Sequence, residues 1–177
     1  MKLRPALLVL ALAAALPAAA HAQSPNVAFA GRIMCSDQRF PGSANNPGAY
    51  TAAIRRQAKS NFYERKGSWR IYTAAFLSQP LDDVEYVVKV YELRGRQQQL
   101  LTSFDQYADQ RGERTVLSNM DLRQNQVGAN KQVLLTLESK GKVLASTQVK
   151  LLSANGQHYT GKVDFSGGDG GKKRDDG

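Results

Sequence analysis

The sequence predicts a mainly β fold: an antiparallel β-sandwich of immunoglobulin-like topology, with a Greek-key barrel as the alternative. Two observations carry this. Short segments rich in β-branched and aromatic residues alternate apolar with polar side chains. Turn signals such as Ser78-Gln79-Pro80, Arg94-Gly95 and Asn155-Gly156 separate them, with no long helical pattern between.

The chain has 177 residues and opens with Lys2 and Arg4 ahead of the apolar run Ala6 to Leu16, then small residues up to Ala22. This pattern predicts a secretory signal peptide over residues 1–22, cleaved after Ala22. The segment resembles bacterial export signals, which implies a periplasmic or secreted protein. The run is shorter than the roughly 20 apolar residues a membrane span takes, and no later stretch approaches that, so the mature chain is not expected to span a membrane. Residues 23–165 are read as one β-sandwich domain, long enough for a single core and too short for two.

Asn26 to Met34 carries Val27, Phe29, Ile33 and Met34, and is read as a first strand interrupted at Gly31. Ser36 to Gly48, with two prolines and two glycines, reads as a loop. Across Tyr50 to Tyr63 the four-residue spacing of Ile54, Ala58 and Phe62 favours a short helix near 50–62. Strands are then expected at Trp69–Leu77, Val84–Leu93, Gln98–Phe104 and Arg114–Leu122.

Lys131 to Leu152 reads as a β-hairpin, because Val133, Leu135 and Leu137 share one face of the first arm and Val143, Ala145, Thr147, Val149 and Leu151 one face of the second. A two-residue loop at Lys140-Gly141 would pair Leu137 with Leu144 and Leu135 with Ser146, setting the apolar face of one arm against the polar face of the other, which conflicts with the pattern. A three-residue loop, Ser139 to Gly141, instead pairs Leu137 with Val143, Leu135 with Ala145 and Val133 with Thr147, with Gly141 at positive φ and Glu138 opposite Lys142. A last strand is expected at His158–Phe165, and residues 166–177, which hold no apolar side chain, as a disordered tail.

The formal net charge is +9; without Lys2 and Arg4, 22 basic residues face 15 acidic ones, and the exported chain stays basic at +7. One cysteine, Cys35, forms no internal disulfide and is expected to pack as a small apolar side chain, with pairing to another chain as the alternative. The chain has two histidines, and loss of His21 with the leader would leave His158, too few for a zinc site of His and Cys. No catalytic constellation, metal site or cofactor is expected. Asp82, Asp83 and Glu85 read as solvated acids after Pro80, although such a loop can hold calcium.

Arg55, Arg56, Lys59, Arg65 and Lys66 form the densest basic cluster, with Tyr50, Phe62, Tyr63 and Trp69 interleaved. In an exported protein these residues point away from nucleic acid and toward an envelope protein partner or an anionic cell-wall or lipid surface. The expectation is therefore a non-catalytic exported domain serving as a binding or structural subunit of a bacterial cell-envelope assembly of the secretion, adhesion or motility type. The alternative is a carbohydrate or cell-wall binding module using Tyr107, Tyr159 or Trp69; a carboxylate-based hydrolase comes third. The lightly charged arm Leu144 to Leu152 offers an edge for strand addition.

Overall fold

The computed structural model describes residues 24–154 except Arg96; the expected leader, the expected strand at His158–Phe165 and the tail lie outside the described residues. Strands take 52% of the described residues and helices 15%, so the fold is mainly β. In chain order the elements are α1 Pro25–Ala28, β1 Arg32–Ser36, α2 Pro47–Gln57, β2 Asn61–Tyr63, β3 Ser68–Phe76, β4 Glu85–Arg94, β5 Gln97–Tyr107, β6 Thr115–Arg123, α3 Gln124–Val127, β7 Lys131–Ser139 and β8 Lys142–Leu152.

The strands form one eight-stranded sheet in the order β5-β4-β7-β8-β1-β3-β6, with β2 also on β8, and this sheet curls into a half-barrel. Two features correct the expected antiparallel sandwich. The strands belong to a single sheet, and that sheet is mixed. β1 runs parallel to β8 with Arg32 opposite Ser146, and β2 runs parallel to β8 with Asn61–Tyr63 opposite Lys150–Leu152. Here the chain leaves the sheet after β1, passes through α2 and returns as β2, taking up the edge of β8 where β1 gives it up. As a result β8 is flanked on both sides and is not the free edge that its light charge suggested; the edges are β5 and β6.

Curling brings the far ends of the sheet together. The Tyr86 hydroxyl on β4 reaches Gln106 Oε1 on β5 at 3.4 Å and also meets Ser118 on β6. α3 touches both β5 and β6, and its buried Val127 joins the inner core. That core consists of the inward halves of the alternating strands, among them Trp69, Ile71, Tyr86, Val90, Leu135 and Leu151.

A second, smaller core lies on the outer face of β3, where Ala74 and Phe76 are covered by Phe29, Phe40 and Ile54. α2 supplies Ile54 and is set by local chemistry: the Asn46 side chain caps it by accepting from Ala49 N at 2.7 Å, and Pro47 occupies the first turn. The helix therefore starts before the expected 50–62 and ends earlier, at Gln57. Phe62 belongs to β2 and points inward. The expected first strand is likewise shifted: residues 25–28 are helical, and β1 follows Gly31, whose φ is +72°.

The hairpin occupies its expected residues but has a different register. Ser139 pairs with Lys142 across a two-residue turn in which Lys140 and Gly141 both have positive φ, +49° and +76°. Such a turn matches the strand twist. The parity conflict is removed by a bulge at Leu144, after which Leu137 pairs with Ala145, Leu135 with Thr147 and Val133 with Val149. Val143 consequently faces out, and Glu138 lies opposite it instead of Lys142, bonding Lys89 Nζ at 2.6 Å. The bulged carbonyl is used: Leu144 O accepts from Ser78 N at 2.9 Å. Replacing Gly141 with Val should destabilise the fold by at least about 1 kcal/mol, because a β-branched residue resists the left-handed region. Thermal melting checks this, and an unchanged midpoint contradicts the turn.

Candidate functional site

β1 pairs with β3 from Tyr72 to Phe76, which leaves Ser68 to Ile71 without a β1 neighbour. β2 sits on β8 instead of closing that gap. The wall of the half-barrel opens there into a groove of about 760 Å³ between β2 and β3. One end is closed by the turn from Arg65 to Ser68, held by Arg65 N–H to Ser68 O at 2.8 Å and Ser68 N–H to Arg65 O at 3.2 Å, with Lys66 and Gly67 at positive φ. Alternation assigns the side chains. Phe62 and Trp69 point into the core, while Asn61, Tyr63, Arg70 and Tyr72 stand on the outer face beside Asp121 of β6.

Two ion pairs line the groove. Lys59 Nζ meets Asp37 Oδ2 at 2.7 Å, and Arg70 grips Asp121 with Nε and Nη2, each at 2.8 Å. The hydrogen bond from Lys59 holds the Asp37 carboxyl below its ordinary value, and that from Arg70 does the same for Asp121. Both acids are therefore charged at neutral pH. Arg65, which also lines the groove, has no ion-pair partner among the described residues. Three cations thus face two carboxylates; the Arg65 guanidinium stands outside both ion pairs, and its charge adds to that of Lys59 in lowering Asp37.

The expected basic cluster is divided by the fold. Lys59 and Arg65 line the groove. Arg55 and Arg56 sit in the last turn of α2, where cations suit the helix dipole, and the Arg55 guanidinium lies 5.7 Å from the centre of the Phe29 ring. Lys66 is in the turn closing the groove. Sequence reasoning missed Asp37, Arg70, Tyr72 and Asp121. Arg70 and Asp121 stand directly opposite on paired strands, but 51 residues separate them in sequence, so neither signals the other.

The three aromatics named as sugar contacts fare differently. Trp69 is 1% exposed, so it cannot offer a face to a ligand; this corrects that expectation. Tyr107 is exposed at the end of the β5 edge, away from the groove, and Tyr159 lies outside the described residues. Tyr63, 56% exposed, and the half-buried Tyr72 are the ring faces the groove offers. The acidic loop after Pro80 holds Asp83 between Arg111 and Lys140, each at 3.7 Å. Among the described residues no three His, Cys, Asp or Glu side chains are placed to hold a metal ion.

Cys35 points into the core, and burial pushes its thiol up to about 12. It should stay unmodified by a thiol reagent at neutral pH and react fully once urea unfolds the chain. Fast labelling of the folded protein contradicts this. No helix among the described residues is long and apolar enough to cross a membrane. Compared with known proteins, the chain matches no family model and no curated sequence.

Proposed function

We propose that this chain is an exported, non-catalytic binding or structural subunit of a bacterial cell-envelope assembly, and that it meets its partner through the β2–β3 groove. The export half of the reading rests on Lys2 and Arg4 before the apolar run Ala6 to Leu16 and the small residues up to Ala22. The binding half rests on one observation: a groove whose cations outnumber its carboxylates, with Arg65 outside both ion pairs. In a basic chain that surface attracts anionic partners.

The state of the two carboxylates speaks against paired-acid hydrolysis in this groove. A hydrolase built on paired acids keeps one of them protonated near neutral pH to serve as the general acid. Asp37 and Asp121 are both held below the ordinary carboxylate value by their cations, so neither has a proton to give.

The test is co-sedimentation of the exported chain with purified envelope fragments. Binding should weaken as salt rises, since exposed charges are screened within about 8 Å at physiological ionic strength. Arg65→Glu should abolish it, while Arg56→Glu, on α2 and outside the groove, should not. Equal loss in both variants would replace the groove with a diffuse basic face, and absence of binding at every salt concentration would defeat the reading.

A further inference from the structure

We infer that the ligand of the β2–β3 groove is a carboxylate-bearing saccharide, with Arg65 anchoring the carboxylate and Tyr63 and Tyr72 supplying the stacking faces for the sugar rings. This rests on the binding reading above and names the chemistry of the same site. Three properties of the groove converge on it.

The first is an excess of ordered donors. A guanidinium carries five N–H donors, of which Arg70 spends two on Asp121 while also meeting the Tyr72 hydroxyl; an ammonium carries three, and Lys59 spends one on Asp37. The ion pairs hold these long side chains in fixed directions, which lowers the entropy lost when a ligand takes up the remaining donors. Asn61 and the Tyr63 hydroxyl extend the same polar rim, and the Tyr72 hydroxyl joins it beside Arg70. A partner suited to it presents many closely spaced oxygen acceptors.

The second is the kind of apolar contact available. Phe62 and Trp69 border the groove but are 3% and 1% exposed, so there is no side-chain pocket for the anchor residue of a peptide. What is exposed is Tyr63 on β2 and, half-buried, Tyr72 on β3. An aromatic face accepts the C–H face of a pyranose ring, and the rim of hydroxyls around that ring meets the donors.

The third is charge. With Lys59 and Arg70 each paired with its own carboxylate, the cation outside both pairs is Arg65, whose charge reaches Asp37 only at longer range, and a guanidinium fork suits a carboxylate bidentately. The ligand is then an acidic saccharide, not a neutral one.

Calorimetric titration of the exported chain with tetragalacturonate, its neutral methyl ester and tetraglutamate tests this. The acid should bind, and esterification should weaken it about tenfold, the scale of one charge-assisted contact. Arg65→Gln should erase the difference between acid and ester, and Tyr63→Ala should weaken both, with the melting temperature unchanged in each variant. An ester that binds as tightly as the acid, a peptide that binds as tightly as the saccharide, or no binding of any probe overturns the saccharide assignment. Each of these leaves the envelope reading to stand or fall by sedimentation with envelope fragments, so the two failures are distinct.

Discussion

Replacing Trp69 with Ala should destabilise this fold by about 3–5 kcal/mol. The indole is 1% exposed and fills the inner core at the start of β3. Its Nε1 donates to Leu152 O at 2.9 Å, and the same carbonyl accepts from Glu64 N at 2.9 Å, so the indole helps fix the end of β8 where β2 pairs with it. A loss of that size is a large part of the 5–15 kcal/mol that holds a typical domain together. Urea unfolding followed by circular dichroism measures it. Trp69→Phe keeps most of the buried area and loses the hydrogen bond, so it should cost much less. A Trp69→Ala midpoint close to that of the unchanged protein would contradict the placement of the indole in the core.

Replacing Phe76 with Ala should cost a comparable amount, about 3–4 kcal/mol, but locally. Phe76 is fully buried on the outer face of β3, its ring 5.2 Å from that of Phe29, in a core of five buried residues separate from the inner one. Removing it takes away the main surface on which α1 and α2 rest. The expected result is a fall in helical signal and proteolysis between Ser36 and Pro47, while the fluorescence of Trp69, the single tryptophan, keeps its folded character. Simultaneous loss of both signals would mean that the two cores unfold as one unit.

The reach of local pattern explains what the sequence disclosed. β4 was legible because Tyr86, Val88 and Val90 alternate with outward residues, and the arms of the hairpin because their apolar sets repeat every second position. The end of β3 breaks that rule, since Ala74 and Phe76 are buried on the outer face while Ala75 is buried on the inner one. A period-two reading cannot foresee a sheet covered on both sides there. Pro47 looked like a loop residue, yet after Asn46 it is the start of a helix. The hairpin register failed for a different reason: a bulge changes parity without leaving a mark in the apolar pattern, so a two-residue turn was open after all.

The candidate site was half legible. Lys59 and Arg65 stood out as part of a basic run, but what separates them from Arg55 and Arg56 is the end of α2, which turns the chain into β2. Asp37, Arg70 and Asp121 come from the residue after β1, from β3 and from β6, and each alone is an ordinary outward charge. Their meaning depends on the gap between β2 and β3, which in turn depends on two strands sharing one edge of β8. That pairing is non-local and parallel, and nothing in a short window of sequence encodes it.

The most direct test of the groove as the binding surface is an amide NMR titration of the protein with tetragalacturonate. Shifts should be confined to Asp37, Ala58 to Tyr63, Arg65, Ser68 to Arg70, Tyr72 and Asp121. Shifts centred instead on the free edge of β5, from Gln97 to Tyr107, or on the exposed residues of α2, would contradict it.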